Sequence, residues 1–225
     1  MPDSHESPEA AFAAVLAAAT GMLEVGLTTG TSGNVSARLD GGHIVMTPSS
    51  LPYQEMTIDD LAVLTLDGEQ VSGPRPPSSE KLLHLACFRA FDEVGAVLHS
   101  HPAYATMFAC ARQPVPPVVD EALLFVGGQV PVAGYAVSGT AGVGTSAVAV
   151  LGDVGSALLA NHGLVTVAAD PAAALHQAGI VEHCAQVAWG VRALGGHVPL
   201  TSAATESLAA AYRLSRARGP NLPYG

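Results

Sequence analysis

The stretch VGAVLHSH, residues 94–101, joins a run of apolar residues to two histidines that lie two positions apart. An apolar run of this length, stopped by Pro102, predicts a buried β-strand. Because side chains alternate between the two faces of a strand, His99 and His101 are expected on the same face at its end. Two neighbouring imidazole rings on an inward face need a polar partner, and a shared metal ion would serve both.

A third histidine follows another predicted strand. In Asn161-His162-Gly163 the glycine permits a tight turn, and three protein ligands with one open position are usual at a catalytic zinc site. From spacing alone, a structural histidine bonded to the backbone is an equal alternative for His162. For one or both rings of the first pair the same alternative exists but is disfavoured, because two adjacent polar rings on an inward face need a partner. The remaining histidines are interpreted as structural or solvated: His5, His43, His84, His176, His183 and His197.

The composition is that of a compact globular chain. Its 225 residues are 49% apolar and 12% charged, which suffices for one large core and is short for two enzyme domains, so we predict a single domain over residues 1–225. The net charge is −10 with nine lysines and arginines, which excludes a basic surface for a nucleic-acid backbone. A phosphate site would therefore have to be built locally from backbone N–H groups, hydroxyls and a metal.

The cysteines and the first residues bear on the cellular compartment. Cys87, Cys110 and Cys184 are odd in number and far apart, which predicts buried free thiols in a reducing compartment. The beginning, MPDSHE, is acidic and is not followed by a signal-like or membrane-spanning apolar run. We therefore expect a cytoplasmic protein with no membrane partner.

Hydrophobic periodicity and turn residues predict alternating helices and strands, with Ser7 capping the first helix and Ser78 or Ser79 the second. The predicted helices span residues 8–25, 78–91, 103–111, 146–151, 171–194 and 202–218, and the predicted strands 35–39, 43–47, 61–66, 94–99, 130–137, 157–161 and 164–167. Asp67-Gly68 is a hairpin signal. Three loops of small and hydroxyl-bearing residues, at 28–34, 47–50 and 77–79, offer backbone groups to a ligand.

Five motifs follow one another along the chain: Gly33-Asn34-Val35-Ser36, Thr47-Pro48-Ser49, Pro77-Ser78-Ser79-Glu80, His99-Ser100-His101 and Asn161-His162-Gly163. Together they resemble the class II aldolase and adducin head-domain family, from about residue 8 to about residue 195. The resemblance implies an α/β fold, a three-layer α/β/α sandwich with a central mixed, mostly antiparallel sheet. It also implies a catalytic zinc or another divalent transition metal, and a homotetramer with active sites at subunit interfaces.

The resemblance further implies roles for individual residues. His99, His101 and His162 would bind the metal, in agreement with the spacing of the histidines. Glu80 would act as general acid and base and would also ligate the metal before substrate arrives. Without the resemblance, a favourable charge in the first turn of a helix is the simpler explanation for this carboxylate. The implied phosphate-binding residues are Thr31, Gly33, Asn34, Ser49, Ser78 and Ser79.

Two departures from the family pattern fall on the side of the site that selects the substrate. Ser50 stands where a glycine is usual, and Asp120-Glu121 follows the proline-rich segment at 114–117 where a tyrosine is usual. Candidates for the missing tyrosine are Asp120, Glu121, Tyr212 and Tyr224, and the sequence favours none of them. The identity of the aldehyde half of the substrate is therefore left open.

The reaction implied by the resemblance is a retro-aldol cleavage of a sugar phosphate. A ketose 1-phosphate such as L-fuculose 1-phosphate would be cut between C3 and C4 through a zinc-stabilised enediolate, giving dihydroxyacetone phosphate and an aldehyde. Alternatives on the same fold are a 4-epimerase, a decarboxylase, a dehydratase or a non-catalytic adducin-like module. An unrelated zinc hydrolase lacks its His-Glu-x-x-His motif here. Schiff-base chemistry is disfavoured because the one lysine, Lys81, is expected to be exposed.

Overall fold

The computed structural model describes residues 8–152 and 154–218, which are built around one central sheet. Its strands are β1 (Asn34–Leu39), β2 (His43–Met46), β3 (Ala62–Thr65), β4 (Gln70–Ser72), β5 (Ala96–Ser100), β6 (Val132–Ala133), β7 (Ser156–Leu159) and β8 (Gly163–Ala168). They lie in the order β4-β3-β2-β1-β5-β8-β7-β6. Neighbours are antiparallel except β6 and β7, which run parallel. The mixed, mostly antiparallel sheet implied by the resemblance is confirmed.

Helices cover both faces of this sheet. They are α1 (Pro8–Glu24), α2 (Lys81–Ala90), α3 (Ala103–Cys110), α4 (Ala141–Leu151), α5 (Pro171–Ala193) and α6 (Ser202–Arg218). In β5, Ala96 and Leu98 pack into a core shared with α1, α3 and α5, whereas Val97 packs into a second core shared with α2 and α4. This alternation along the strand is what places a helical layer on each side, so the three-layer α/β/α fold is confirmed.

The second helix begins later than predicted. The hydroxyl of Ser78 accepts a hydrogen bond from the backbone N–H of Glu80 at 3.2 Å, and Lys81 N–H donates to the Ser78 carbonyl at 3.1 Å. These bonds form a turn, and Glu80 is the residue that precedes the first helical residue. The prediction that Ser78 or Ser79 caps the helix and that Glu80 lies in its first turn was therefore wrong.

The fourth helix begins five residues earlier than predicted, at Ala141. Its first turns contain Gly142 and Gly144, which disfavour a helix by propensity alone. Packing overrides this cost, because a β-carbon at position 144 would lie 2.6 Å from the β-carbon of Ala86 and 2.9 Å from the carbonyl oxygen of Leu82. Gly144 thus allows α4 to approach α2 closely.

Other differences lie outside the central strands. The segment predicted as β structure at 130–137 is a strand only at Val132–Ala133, since Pro131 has no N–H for the ladder. A π-helical segment at Ala122–Val126, which α6 packs against, was not predicted. The hairpin at Asp67-Gly68 is confirmed, with Gly68 at φ 91° between β3 and β4.

The three cysteines are free thiols, but they are not all buried. Cys87 and Cys184 are buried, whereas Cys110 is exposed. The prediction was wrong for Cys110 because the buried face of α3 is made by Ala105, Phe108 and Ala109. Ser7, His5 and Tyr224 lie outside the described residues. Among the helices of 8–152 and 154–218, none combines the length and the apolar character needed to cross a bilayer.

Candidate metal centre

The three predicted metal histidines meet where two neighbouring strands end and begin. β5 ends at Ser100, which pairs with Leu164 near the start of β8, so the residues around this end face the turn between β7 and β8. That turn contains Asn161, at φ 53°, and His162. His99 and His101, at the end of β5, therefore lie next to His162, which is 61 positions further along the chain than His101.

The first residue of β8 leaves the space in which these rings meet. A β-carbon at position 163 would lie 2.4 Å from the carbonyl oxygen of Ser100 and 2.7 Å from Cδ2 of His101. Any side chain at this position would push β8 away from β5 or displace the His101 ring. Gly163 is therefore required by close approach, in addition to helping the tight turn that the sequence indicated.

The potential ligand atoms of four side chains converge. One ligand atom each from Glu80, His99, His101 and His162 lies within 4.8 Å of the others, and the ring centroids of the histidines are 4.6 to 5.0 Å apart. Nδ1 of His99 is 2.8 Å from the Leu164 carbonyl oxygen, to which it donates, so Nε2 is left as the metal-binding atom. Nε2 of His101 lies 2.9 Å from Nε2 of His99. Two such nitrogens approach this closely when they share a cation or a proton.

Glu80 closes the fourth side of the cluster. Its Oε2 is 3.1 Å from Nε2 of His99, and its Oε1 is 3.1 Å from Nε2 of His162. The hydroxyl of Ser138 donates to Oε1 at 2.7 Å, and the side-chain amide of Asn34 donates to Oε2 at 3.1 Å. Both carboxylate oxygens are thus held by donors on two sides.

The electrostatics of the cluster keep its members in the forms that bind a cation. Burial alone would raise the pKa of the Glu80 carboxyl, but hydrogen bonds from His162 and His99, the charge of His99 and the Ser138 hydroxyl hold this pKa well below its usual 4.5. Burial, followed by the nearby His99 and His162 rings, lowers the pKa of His101 to about 4. Near neutral pH the site therefore offers a carboxylate and a neutral imidazole at these two positions.

The donor set fits a divalent transition metal. Three imidazole nitrogens and one carboxylate oxygen match the ligands that zinc takes in catalytic sites, and imidazole also suits several neighbouring metals. The fixed tautomer of His99 is a further feature of metal-binding histidines. The cluster could thus hold one ion.

The hydroxyl-rich loops lie side by side next to this cluster. The Thr47 hydroxyl accepts a hydrogen bond from Val35 N–H at 3.1 Å, and Ser78 N–H donates to the Thr47 carbonyl at 3.1 Å. Ser49 N–H donates to the Pro76 carbonyl at 3.0 Å. Three segments far apart in sequence thereby form one surface, from which Thr31 and Ser79 extend as exposed side chains.

The buried Tyr53 stabilises the first hydroxyl-rich loop, residues 28–34. The Tyr53 hydroxyl donates to the carbonyl oxygens of Ser32 and Gly33 at 3.0 and 2.7 Å. Gly33 has φ 82°, and a β-carbon there would lie 2.7 Å from the carbonyl oxygen of His99. The loop is therefore packed against the strand that carries the metal histidines. Ser50 also keeps the left-handed conformation that favours glycine, with φ 60°.

The candidates to replace the family's tyrosine differ in their exposure and packing. Asp120 and Glu121 are exposed just before the π-helical segment. Tyr212 is 6% exposed and packs against Gly127 and Gly155 of its own chain, so it is part of the fold's packing rather than a residue extended to a neighbour. Lys81, expected to be exposed, is half-buried, and its ammonium group donates to the Gly68 carbonyl at 3.0 Å.

Two residues of the site have no signal in the sequence. Ser138 is 58 positions from Glu80 and lies in a short loop before α4, where a serine is ordinary. His84, interpreted above as structural or solvated, is fully buried and is hydrogen-bonded to Asn34 and Ser36. Their positions next to the cluster depend on tertiary packing, which residue spacing does not show.

Comparison with known proteins agrees with this geometry. Residues 13–189 match the Class II Aldolase and Adducin N-terminal domain family. The chain is 35% identical over 189 residues, 84% of this chain and 88% of the relative, to the 5-deoxy-D-ribulose 1-phosphate aldolase of Bacillus thuringiensis serovar kurstaki. It is 31% identical over 212 residues, 89% of this chain and 91% of the relative, to the L-ribulose-5-phosphate 4-epimerase UlaF of Salmonella paratyphi B. A solved L-fuculose 1-phosphate aldolase, 30% identical, matches with a TM-score of 0.87 over 93% of this chain and 99% of that one. The chain therefore belongs to the class II aldolase and adducin N-terminal domain family.

Proposed function

We propose that this protein is a metal-dependent aldehyde-lyase that cleaves a ketose 1-phosphate into dihydroxyacetone phosphate and an aldehyde. The observation that carries the proposal is the contact of Glu80 with both His99 and His162 beside the surface of hydroxyl-rich loops. Family membership and the aldolase names of its relatives support the same class of reaction. The substrates named for these relatives, 5-deoxy-D-ribulose 1-phosphate and L-fuculose 1-phosphate, are the first to test.

The residues of the chain would divide the chemistry between them. A divalent ion bound by His99, His101 and His162 would polarise the substrate carbonyl as a Lewis acid. In the direction of aldol addition, the Glu80 carboxylate would accept the proton from the hydroxylated carbon of dihydroxyacetone phosphate. In cleavage, the C4 hydroxyl would lose its proton as the C3–C4 bond breaks and the aldehyde forms, and Glu80, protonated in that step, would deliver the proton to C3. The low pKa of Glu80 keeps it as the carboxylate, the form that can accept a proton, in the absence of substrate.

The phosphate group would be held by the surface of hydroxyl-rich loops. The proposed contacts come from residues of all three loops: Thr31, Gly33, Asn34, Ser49, Ser78 and Ser79. The side-chain amide of Asn34 is already bound to Glu80 and His84. Its share in phosphate binding would therefore come from the backbone rather than from the side chain.

Three further expectations accompany the proposal. The chain would act as one domain over residues 1–225, since the family match at 13–189 covers most of it. It would assemble as a homotetramer with active sites at subunit interfaces, which sedimentation analysis of the purified protein would test. We also expect it to work in the cytoplasm on a small sugar phosphate, in keeping with three unpaired thiols.

A combined metal and product assay tests the function. The purified protein is expected to contain about one divalent ion per chain and to release dihydroxyacetone phosphate from at least one of the two ketose 1-phosphates. Removing the metal with a chelator should abolish release, and zinc should restore it. If neither substrate nor any other ketose 1-phosphate yields dihydroxyacetone phosphate, the aldolase proposal fails.

The second candidate function is 4-epimerisation of a pentulose phosphate. It is favoured by the 31% identity with an L-ribulose-5-phosphate 4-epimerase over 89% of this chain. Epimerisation at C4 by breaking and re-forming the C3–C4 bond, without release of the two fragments, would need the same ligands. Conversion of L-ribulose 5-phosphate to its C4 epimer, with no dihydroxyacetone phosphate from any ketose 1-phosphate, would decide for this candidate.

A further inference from the structure

A buried hydrogen-bond chain runs from the sheet to the carboxylate of Glu80. It links Ser36 to His84, His84 to Asn34, and Asn34 to Glu80. We propose that His84 is a positioning residue, which acts through the Asn34 side chain to fix the orientation of the Glu80 carboxylate. This inference rests on the proposed function of Glu80 and adds to it a residue that touches neither metal nor substrate.

The backbone places the four members of this chain together. Asn34 and Ser36 are two positions apart in β1 and therefore point to the same face of the sheet, the one covered by α2. Asn34 pairs with His99 across β1 and β5. His84 is four positions after Glu80, so one turn of α2 separates the two side chains along one face of the helix.

Burial makes each hydrogen bond of this chain important. Ser36 and His84 are 0% exposed, and Asn34 is 3% exposed. A buried polar group that loses its partner keeps the full cost of desolvation. His84 therefore holds Asn34 in one orientation, because turning the amide would leave groups on both sides without partners.

The direction of each hydrogen bond follows from Glu80. A carboxylate can only accept, so Asn34 must turn its NH₂ group to Oε2, at 3.1 Å. The amide oxygen then faces Nε2 of His84, which must carry the ring proton. Nδ1 of the neutral ring is left as an acceptor, 2.6 Å from the Ser36 hydroxyl, which donates to it. Each donor group of this hydrogen-bond chain thus has one acceptor, and the proton on Nε2 of His84 stabilises the amide orientation that Glu80 requires.

The arrangement predicts what a substitution at His84 does at the metal site. Without the N–H on Nε2, the amide oxygen of Asn34 loses its donor and the amide is free to turn. Its oxygen would then repel the Glu80 carboxylate, which also loses a donor. Glu80 would become less well ordered as a metal ligand, and the proton on its carboxyl would be held more tightly.

The variants are chosen to separate positioning from packing. His84→Phe keeps a ring of similar size and removes both hydrogen bonds, whereas His84→Gln can keep a donor near Nε2. Ser36→Ala removes the hydroxyl that donates to Nδ1 of His84, with minimal loss of volume. This variant remains informative if His84→Phe does not fold. Ser156→Ala is the matched control. It removes a buried hydrogen bond of 2.9 Å that the Gln177 side chain donates to the Ser156 hydroxyl, and this bond lies outside the hydrogen-bond chain from Ser36 to Glu80.

The primary measurement is zinc affinity by competition with a chelator, which requires no substrate. We expect His84→Phe to weaken zinc binding on the order of 10-fold, His84→Gln to restore most of the affinity, and Ser156→Ala to bind as the wild type. In the Glu80→Gln background, His84→Phe should have little further effect, because the two residues act through one pathway. An effect of equal size in that background, or equal zinc affinity in His84→Phe and Ser156→Ala, overturns the proposal.

Activity provides a second and independent readout. In His84→Phe we expect kcat to fall on the order of 10- to 100-fold with KM nearly constant, and His84→Gln to recover most of the loss. A kcat in His84→Phe that equals that of Ser156→Ala would also count against a positioning role. If the wild type cleaves no ketose 1-phosphate, the proposed function fails, while the zinc measurement still decides the role of His84.

Discussion

Glu80 is the residue at which opposing electrostatic effects meet. Burial favours its neutral form, but two histidine rings, a serine hydroxyl and an amide all favour the carboxylate, and the pKa is held well below 4.5. Each oxygen has two such partners: His162 and Ser138 at Oε1, and His99 and Asn34 at Oε2. In the absence of substrate, Glu80 is therefore a carboxylate, the form that can ligate a metal.

Replacing Glu80 by alanine or glutamine tests this assignment. We expect kcat to fall by at least about 100-fold because the proton transfer loses its acceptor, while His99, His101 and His162 still bind about one ion per chain. Product release and metal content measure the two effects separately. Glu69→Gln, in the exposed turn between β3 and β4, is the control. Unchanged turnover in the Glu80 variants would exclude the acid/base role.

At this scale the sequence predicts ligands better than their supports. His99 and His101 follow from the alternation of side chains in a strand, and His162 becomes a firm candidate when the resemblance is added to its spacing. The Ser138 hydroxyl and the side-chain contacts of Asn34 could not be predicted. They depend on which loop reaches Glu80 in three dimensions, and a serine or asparagine in a turn is ordinary.

The start of β8 is the element on which the metal centre depends most. Gly163→Ala places a β-carbon against the Ser100 carbonyl and the His101 ring, so β8 must move away from β5. We expect metal affinity to fall on the order of 10- to 100-fold, measured by competition with a chelator.

Gly179 offers a matched comparison for that substitution. It lies in the interior of α5, and a β-carbon there would meet no atom within 4 Å. Gly179→Ala should leave metal affinity unchanged and raise the free energy of unfolding by about 0.5–1 kcal/mol, because alanine favours the helix. Equal metal affinity in the two variants would contradict the close-approach role of Gly163.

The Arg38 side chain, from β1, links the C-terminal end of α2 to the sheet. The Arg38 guanidinium donates to the carbonyls of Phe88, Phe91 and Val94, at 2.8 to 3.2 Å, and lies over the Phe88 ring. Arg38→Met should lower the free energy of unfolding by about 2–4 kcal/mol, since three acceptors lose a charged donor. Urea unfolding measures this effect.

A second arginine, Arg112, provides a comparison for the loss in free energy of unfolding expected in Arg38→Met. Arg112 makes one such bond, to the Ala109 carbonyl at 3.1 Å, so Arg112→Met should cost about 1 kcal/mol or less. A loss no greater in Arg38→Met than in Arg112→Met would mean that the contacts of Arg38 do not stabilise the junction of α2 with the sheet.

Element boundaries show where local patterns stop being sufficient. Strands β1, β5 and β8 were predicted within one or two residues because both of their faces are buried and turn residues end them. The start of α4 lies five residues before the predicted one, since Gly142 and Gly144 disfavour a helix by propensity, whereas Gly144 serves contact with α2. Propensity describes a segment alone, and packing between segments decided this one.

The strand order belongs to the whole molecule and could not be derived from residue patterns. β1 lies between β2 and β5, which begin 4 and 57 residues after it ends. Such pairing depends on how both cores close, so the resemblance, not the periodicity, supplied the three-layer architecture. The same long-range pairing brings Asn34 opposite His99 and so joins the first loop to the metal centre.

Stability of the whole metal-free protein should depend on pH through its buried histidines. Burial and the nearby His99 ring lower the pKa of His84 to about 3, and burial and neighbouring rings lower that of His101 to about 4, from 6.5 in both cases. Between these values and 6.5 the unfolded chain binds a proton that the folded chain does not. The contribution of these neutral rings to the free energy of unfolding is therefore fully present above pH 6.5. It decreases as the pH falls below that value, by up to about 1.4 kcal/mol per pH unit for each ring.

Urea unfolding of chelator-treated protein between about pH 5 and pH 6.5 measures this slope. Glu80 does not contribute in that window, because its lowered pKa affects stability only below 4.5. His84→Phe should make the slope shallower by up to about 1.4 kcal/mol per pH unit, and Ser156→Ala should leave it unchanged. A slope that is equal in all three proteins would show that His84 takes up its proton in the folded state, and a neutral ring with its proton on Nε2 would then be the wrong description of the buried chain behind Glu80.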